Sequence, residues 1–360
     1  MRYMFIVQGE GRGHLTQAMA LAQLLRRNGH EVVEAMVGKN PNRTLPPFFE
    51  AGVECPVTAF DSPSFDYGKA GKRGNLVKTI FRNTTPLKLE RWRKSISKIV
   101  RRIEENKPDV VVNFYEILLG MTSLTHRLRV PIVSIGHQFL VDHPDYSHRS
   151  RTDQGQFALR LNNMLCSMGT TKTLALSFYP LKDSYRDRMA VVPPLLRGDV
   201  FGLEARDEGY ILGYMLNPGY ADEVREWHKR HPEVRLHLFW DKKDAPETLE
   251  VDGGLSFHRI DDRKFLDMMA GCSGYATTAG FESVCEAMWL GKPALLVPAH
   301  VEQEINAEDA AGIGAGVVAT EFDLSRLVEF IPRYTADTEE FRRWVDRAEE
   351  LFVRHLTTLV

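Results

Sequence analysis

The sequence predicts an α/β protein with two domains, each built on a parallel sheet. Short runs of β-branched and apolar residues alternate with segments of helical length, and near-continuous apolar strands are typical of parallel sheets covered on both faces. This alternation occurs twice along the 360 residues, a length that suits two domains. Pro193 and Pro194 separate the two halves, because successive prolines cannot continue a helix or a central strand. We therefore place the domains at residues 1–195 and 196–335.

Twelve segments have strand character. In the first half they are residues 4–7, 32–37, 110–113, 132–135, 174–177 and 189–192, and in the second half they are residues 210–213, 235–239, 256–258, 274–277, 294–297 and 316–319. Residues 15–27 and 281–290 have helical spacing and end at glycines, Gly29 and Gly291, as helices commonly do. Residues 338–356 predict one long, charged amphipathic helix.

The composition is that of a globular protein, with 43% hydrophobic and 26% charged residues. No apolar run approaches the roughly 20 residues that span a bilayer, and Met1 leads directly into a strand, so we expect no signal segment. The four cysteines are scattered without metal-binding spacing, which indicates reduced thiols. These observations predict a cytoplasmic protein without a disulfide framework or a metal site.

The net charge of −2 hides a basic segment, because residues 69–102 contain twelve Lys or Arg residues and one acid, Glu90. Residues 88–106 have an apolar stripe at helical spacing, formed by Leu89, Trp92, Ile96, Ile99, Val100 and Ile103. One interpretation is a helix packed on the first sheet with its charges in water. The other is a surface for anionic lipid headgroups, together with the loop at 69–82. Nucleic acid is not expected, since no recognised binding motif accompanies the charge.

The segment from Gly9 to His14 (Gly-Glu-Gly-Arg-Gly-His) lies where the first strand turns into the first helix. Gly9, Gly11 and Gly13 permit a tight turn and close approach of the backbone to a ligand. A dinucleotide fingerprint would need another glycine farther on and an acid at the end of the second strand, and Glu34 fills that place only with generous alignment. His14 would project from the helix start as a base for an acceptor hydroxyl; the alternative is a histidine that caps its own loop.

A second turn from strand to helix lies in the second half of the chain. The hydroxyl of Thr278 and the amides of Gly280 and Phe281 would face an anion at the helix start. Glu286 lies roughly 9 Å along this helix, where a carboxylate could hold a ribose diol while a diphosphate sits on the amides. The alternative is that Glu286, which shares a face with Glu282, belongs to a solvated helix surface.

Polar side chains follow other strands as well. Glu302 and Gln303 come after the strand at 294–297, at the strand end where α/β proteins bind ligands, and could contact sugar hydroxyls. Glu116 follows the strand at 110–113, although an ordinary acid at a helix start is the alternative.

These residues resemble those of a known family. Residues 11–14, 278–293 and 302–306 resemble the GT-B glycosyltransferases, and in particular the branch of the lipid-linked N-acetylglucosaminyltransferases of peptidoglycan synthesis and the UDP-glucuronosyltransferases. The resemblance implies two Rossmann-like domains that face a cleft. It also implies that a C-terminal helix, residues 336–360, returns to the first domain.

The resemblance assigns roles residue by residue. It implies that His14 is the base or a phosphate contact, that Glu286 holds the donor ribose, and that Gln303 with Glu302 contacts the donor sugar. Other donor contacts would come from the two turns, namely Gly11, Gly13, Thr278, Gly280 and Phe281. Backbone groups at Phe257 and Ile260 would cradle the nucleobase, with uridine favoured. His137 resembles a histidine at the acceptor side and, with Glu116, is a reserve base.

The implied reaction is transfer of a sugar from a nucleoside diphosphate to an acceptor hydroxyl, with inversion and without a metal or cofactor. The sequence does not identify the acceptor, which would be a lipid-linked sugar, a glycerolipid or a saccharide, and the protein could lie at the inner face of the membrane. Two alternatives stay open, a UDP-sugar epimerase of the same fold and a sugar-nucleotide-binding protein without catalysis. A nicotinamide dehydrogenase fits least, because the dinucleotide fingerprint fails.

Overall fold

The computed structural model describes residues 1–40, 44–63, 85–146, 153–186, 188–215, 219–240, 242 and 245–359. Its packing divides the chain into two compact units. The first unit contains the described residues before Gly198 and those from Trp344 onward, and the second contains Gly198–Arg343. The basic loop at 69–82 lies outside the described residues.

The first unit is built on a seven-stranded sheet in which all neighbouring strands are parallel. The strands, in the spatial order β3-β2-β1-β4-β5-β6-β7, are β1 Arg2–Gln8, β2 Glu31–Lys39, β3 Val57–Asp61, β4 Val110–Phe114, β5 Ile132–Gly136, β6 Lys172–Leu176 and β7 Met189–Val192. Its helices are α1 Gly13–Arg27, α2 Pro47–Val53, α3 Pro86–Asn106, α4 Ile117–Thr125 and α5 Asp153–Cys166. All side chains of β4 and β5 are buried, because helices cover both faces of the sheet.

The second unit has its own seven-stranded sheet. The spatial order is β10-β11-β9-β8-β12-β13-β14, and only the pair β10 and β11 is antiparallel. The strands are β8 Tyr210–Met215, β9 Arg235–Trp240, β10 Thr248–Glu250, β11 Leu255–Arg259, β12 Gly274–Thr277, β13 Ala294–Leu296 and β14 Gly316–Val318. The helices are α6 Tyr220–Arg230, α7 Asp262–Gly271, α8 Phe281–Trp289, α9 Val301–Gly312, α10 Ser325–Phe330 and α11 Thr338–Asp346. The predicted α/β class with two parallel-sheet domains is confirmed.

The predicted motifs fall where the strand order reverses. Chain order runs outward in both directions from β1 and β4 in the first sheet. It does so from β8 and β12 in the second, except that the edge strand β10 precedes β11 in the chain. At such a switch point the flanking loops diverge, and ligands of open α/β sheets bind beside the carboxyl ends of the strands. The glycine loop follows β1, Glu116 follows β4, and Thr278 follows β12. The first unit therefore presents the glycine loop and Glu116 at its switch point, and the second unit presents Thr278 at its own.

The end of the chain differs from the prediction of one long helix. A break at Arg347, whose N–H donates to the carbonyl three residues back at Trp344 (3.2 Å), separates α11 from α12, Ala348–Thr357. α12 packs on the first unit, where the Tyr3 hydroxyl donates to the carbonyl of Leu356 (3.5 Å). The Trp344 indole donates to the carbonyl of Ser177 (3.0 Å). The last residues therefore complete the first unit.

Two short strands were not predicted, β3 and the three-residue edge strand β10. In α3 the inner stripe of Ile96, Ile99 and Ile103 is buried as predicted, but Leu89 is exposed. The helix begins beyond the edge of the core, so its first turns contact less of the sheet. Within the described residues, no helix is long and apolar enough to cross a membrane.

Candidate functional site

His14 lies in the first turn of α1 and is only 9% exposed, so it does not project freely as the sequence suggested. Its Nδ1 lies 3.3 Å from Oε1 of Gln17, and its Nε2 lies 3.5 Å from Nε2 of Gln138. The ring stacks on Tyr115, with 5.6 Å between centroids and 22° between planes. Burial lowers the pKa of His14 to about 4. The imidazole is therefore neutral near pH 7 and able to accept a proton.

Tyr115, between β4 and α4, was not singled out by the sequence. Its φ of +60° is rare for a bulky residue, and such strain persists only where the surroundings fix it. The hydroxyl donates to Oδ1 of Asn163 (2.6 Å), and the backbone carbonyl accepts from Sγ of Cys166 (3.4 Å). These contacts hold the aromatic ring against His14. Tyr115 supports His14 through contacts with residues that are remote in the chain, and no local sequence pattern predicts such contacts.

Glu116 is fully buried at the start of α4. Its Oε1 accepts from the hydroxyl of Ser62 (2.7 Å) and from the N–H of Leu118 (3.0 Å), so it does cap the helix, as the alternative interpretation held. A Cβ at Gly38 would collide with Oε2, which explains why glycine occupies that position. Burial raises the pKa of Glu116 to about 7, which makes it a proton acceptor as well as a cap.

His137 follows β5 and is anchored by its own hydrogen bond. Its Nδ1 lies 2.7 Å from the carbonyl oxygen of Leu176, so this nitrogen carries the proton, and the ring packs against Phe178. Burial lowers its pKa to about 4. The side chain that reaches His14 from this segment is that of Gln138, which the sequence did not assign.

The glycines of the first loop serve different purposes. A Cβ on Gly9 would meet the carbonyl oxygen of Gly38 at 2.7 Å, so packing of β1 on β2 requires glycine there. A Cβ on Gly11 would come no closer than 4.0 Å to another atom, at the N of Gly13, so packing leaves space at this position. No side chain of the described residues caps the start of α1, which begins at Gly13. The approach of an anion to Gly11 and Gly13 stays a prediction, and the space at Gly11 is compatible with it.

Glu34 cannot be the acid that a dinucleotide site needs at the end of β2. It is the fourth residue of a nine-residue strand, far from the carboxyl end, and it is fully buried. Its carboxylate accepts from Arg102 Nε (2.9 Å), Asn106 Nδ2 (2.7 Å) and the hydroxyl of Thr58 (2.6 Å). It therefore braces α3 against the sheet.

The turn after β12 is held from α9. Gln303 Nε2 donates to Oγ1 of Thr278 (3.4 Å), while its Oε1 accepts from the N–H of Ala299 (2.9 Å). Asn306 Nδ2 donates to the carbonyl of Ala279 (3.1 Å), a residue with a φ of +61°. These bonds fix a strained turn in front of α8. The structure thus adds Asn306 to the predicted Thr278 and Gln303.

The start of α8 is suited to an anion. Gly280 is its N-cap residue, no side chain of the described residues caps the helix, and a Cβ on Gly280 would meet nothing nearer than Ser283 Oγ at 3.7 Å. The ring of Phe281, the first residue of the helix, is buried. Uncapped N–H groups at a helix N-terminus attract phosphate. By contrast, Asp261 caps α7 by accepting from the N–H of Lys264 (2.8 Å).

Glu286 is 2% exposed, so the interpretation of a solvated helix face is wrong for this residue. Glu282, one turn earlier, and Glu302, in the first turn of α9, are both partly exposed. A carboxylate is kept buried only where polar groups meet it, so Glu286 is part of the interior and not of a solvated surface.

The two predicted nucleobase residues differ in position. Phe257 lies inside β11 and is fully buried; its ring stacks on Trp240 (4.5 Å between centroids) beneath the guanidinium of Arg225. Its backbone is flanked by β9 and β10, so Phe257 belongs to the core and is a correction to the prediction. Ile260 follows β11 and is half-buried, which leaves it at the carboxyl end of the sheet.

Comparison with known proteins identifies the class. The profile of glycosyl transferase family 1 matches residues 1–334, and the chain belongs to this family. An uncharacterized glycosyltransferase of Methanosarcina acetivorans is 24% identical over 98% of this chain and 92% of its own. The NDP-glycosyltransferase YjiC of Bacillus subtilis is 22% identical over 92% and 88% of the two chains. The protein is therefore a glycosyltransferase, and an epimerase is not favoured.

Solved structures share the fold over the whole length. The kitacinnamycin glycotransferase has a TM-score of 0.63 at 16% identity, with 98% of each chain covered. The spinosyn rhamnosyltransferase SpnG, complexed with thymidine diphosphate, has a TM-score of 0.61 at 13% identity, covering 99% of this chain and all of that one. LpCGTa in complex with UDP has a TM-score of 0.59 at 15% identity, covering 96% and 94%. At these sequence identities, the comparison shows that the chain shares the GT-B fold and shows nothing about its substrates.

Proposed function

We propose that the protein transfers a sugar from a nucleoside diphosphate sugar to an acceptor hydroxyl, with inversion and without a metal. The second unit holds the donor, and the first supplies the base and binds the acceptor. The observation that carries this proposal is the uncapped start of α8, with Thr278 beside it and the buried Glu286 farther along the same helix. Phosphate at the amides and a ribose diol at the carboxylate fit that spacing.

The leaving group is the donor's diphosphate. Its developing negative charge would meet N–H groups of α8 and the hydroxyl of Thr278, groups already fixed by Gln303 and Asn306. Donors that need no reorganisation stabilise a charged transition state most effectively, typically by about 3 kcal/mol for each well-placed donor. This arrangement supports departure of the nucleotide without a metal ion. The UDP and thymidine diphosphate complexes of the structural relatives support either nucleotide.

His14 is the proposed base. Its neutral imidazole takes the proton of the acceptor hydroxyl, whose oxygen attacks the anomeric carbon from the face opposite the diphosphate, and the configuration inverts. Glu116, with its pKa raised to about 7, is the reserve base. His137 is anchored to a backbone carbonyl and is assigned to the acceptor side rather than to proton transfer.

For the acceptor we propose a lipid-linked sugar or glycerolipid at an anionic membrane surface. Leu87 and Leu89 are 63% and 44% exposed in the first turns of α3, and Arg91 and Arg93 are exposed beside them. Exposed leucines among basic side chains suit the interface of an anionic bilayer. Flotation with phosphatidylserine and phosphatidylcholine vesicles tests this surface. We expect the protein to float with phosphatidylserine vesicles and not with phosphatidylcholine vesicles, and we expect Leu87→Ser with Leu89→Ser to abolish this binding. Equal recovery with both kinds of vesicle would contradict the proposed membrane surface.

Ligand-induced thermal stabilisation tests the donor proposal. UDP, dTDP, GDP, ADP and NAD are compared with and without magnesium, since a ligand at 100 times its Kd stabilises the fold by about 2.7 kcal/mol. We expect stabilisation by UDP or dTDP that does not need magnesium. Stabilisation by NAD alone would overturn the proposal, and so would binding without sugar transfer to any acceptor, which favours a non-catalytic binding protein. NMR of the product's anomeric proton then reports inversion or retention.

A further inference from the structure

Both ring nitrogens of His14 meet side-chain amides. Gln17 lies three residues farther along α1, on the same face of the helix, and is 2% exposed. Gln138 follows β5 and is also buried. The amide oxygen of Gln17 is 3.3 Å from Nδ1, and the amide nitrogen of Gln138 is 3.5 Å from Nε2. Two elements far apart in the chain thus fix one imidazole.

The two contacts agree on one tautomer. A neutral imidazole has one nitrogen that donates and one that accepts. An amide oxygen only accepts, so Nδ1 of His14 carries the hydrogen and donates to Gln17. The lone pair is then on Nε2, which faces the N–H donor of Gln138. In the opposite tautomer the N–H at Nε2 would face the N–H of Gln138, and the unprotonated Nδ1 would face the amide oxygen of Gln17, so neither contact would be a hydrogen bond.

We propose that Gln17 is a positioning residue that holds His14 as the Nδ1–H tautomer, so that Nε2 is the nitrogen that receives the acceptor's proton. This inference rests on the proposed function. Gln138 occupies Nε2 until the acceptor hydroxyl replaces it. The hydroxyl proton then moves to Nε2, the acceptor oxygen bonds to the anomeric carbon, and the bond from that carbon to the diphosphate oxygen breaks. The nucleoside diphosphate leaves with the electron pair, and the imidazolium returns its proton to solvent.

An amide differs from a carboxylate at this position in its charge. It fixes the tautomer and stabilises the imidazolium less than a charged carboxylate would, so burial keeps the base neutral well below pH 7. The influences on the pKa of His14 are burial, which lowers it, and the Gln17 bond, which raises it less. Among the residues that the structure describes, the other titratable group in ring contact with His14 is Tyr115, whose hydroxyl donates to Asn163. A negative charge at position 17 would therefore raise the pKa of His14.

Nitrogen-15 NMR of histidine-labelled protein tests the tautomer without requiring turnover, with His14→Gln identifying the resonance. Between pH 6 and 8 we expect a protonated Nδ1 and an unprotonated Nε2. Gln17→Glu should raise the pKa of His14 by about two units, as an adjacent carboxylate commonly does. Gln23→Glu is the matched control, because it adds the same charge to α1 about 9 Å farther on, and it should leave the titration unchanged. A protonated Nε2, or an unshifted titration in Gln17→Glu, would overturn the proposal.

Kinetics give the second readout. In Gln17→Glu the acidic limb of kcat/KM against pH should move upward with the titration of His14. In Gln17→Leu, kcat should fall by about tenfold with little change in the donor's KM, since one orienting hydrogen bond is lost. An equal loss of donor binding and kcat in Gln17→Leu would indicate a merely structural role and contradict the proposal. If His14→Ala retains transfer, the proposed base fails, whereas the NMR assignment of the tautomer is unaffected.

Discussion

At the scale of single residues, His14 combines burial with two polar contacts. We expect His14→Ala to reduce transfer at least a hundredfold, because general-base catalysis contributes that much or more, while nucleotide binding changes little. Turnover and calorimetric nucleotide binding measure the two effects separately. His126→Ala is the control, since His126 is exposed at the end of α4. Full activity of His14→Ala would leave Glu116 as the base.

Glu286 carries the corresponding prediction for the donor. Glu286→Gln keeps the shape of the side chain but removes the charge that accepts from a ribose diol, so nucleotide affinity should fall about tenfold. Glu282→Gln, one turn earlier on α8 and partly exposed, should leave affinity within twofold. Calorimetric titration with the preferred nucleotide measures both variants. Equal losses would point to the net charge of the helix instead of a specific contact.

Some site residues could be predicted from the sequence and others could not. Thr278, Glu286 and Gln303 lie at or shortly after turns between strand and helix, so their places in the fold could be predicted from the sequence, while their roles stay predictions. Gln17 and Tyr115 act through contacts with segments that are remote in the chain, which no local pattern reveals. The burial of Glu116 likewise depends on Gly38 in β2 and on Ser62 directly after β3.

At the scale of elements, the crossing of α4 and α5 depends on Gly120. A Cβ there would collide with the carbonyl oxygen of Leu165, a backbone atom that cannot move aside. We expect Gly120→Ala to lower the free energy of unfolding by about 3 kcal/mol, at the upper end of overpacking effects. Gly312→Ala at the end of α9, where a Cβ would meet nothing within 4 Å, is the control. Urea denaturation measures both, and equal midpoints would contradict the prediction.

The strands were predicted well because apolar runs in a parallel sheet carry their own signal. The edge strand β10 has only three residues and pairs on one side, so its sequence carries almost none. The break at Arg347 could not be predicted either. Apolar residues continue through it at helical spacing, and neither glycine nor proline occurs there.

At the scale of the whole molecule, buried histidines set the response to acid. Burial lowers the pKa of five histidines to about 4: His14, His137, His258 and His355, which are buried, and His300, which is partly buried. Between pH 6.5 and 4 the unfolded chain binds more protons at these sites, so the free energy of unfolding falls as the pH is lowered. Each contributes up to about 1.4 kcal/mol per pH unit in that window.

Glu116 acts in the opposite direction. Its pKa is about 7 in the folded protein, against an ordinary value of 4.5, so its contribution is present at low pH and is lost as the pH rises through 7. One carboxyl group does not offset five histidines. Urea denaturation at pH 7.5, 6 and 5 should therefore give a stability that decreases by several kcal/mol toward pH 5. A constant stability would show that the histidines stay solvated.

The return of α12 to the first unit has a consequence for synthesis on the ribosome. The surface that receives α12 and Trp344 is made early, but both emerge only after the entire second unit has been translated. At translation rates of about 5 to 20 residues per second, the first unit waits roughly 10 to 30 s for its final piece. During that interval the apolar groups that later cover Leu351, Phe352 and Leu356 face solvent or a chaperone. The order of translation therefore makes the second half of the chain a prerequisite for finishing the first.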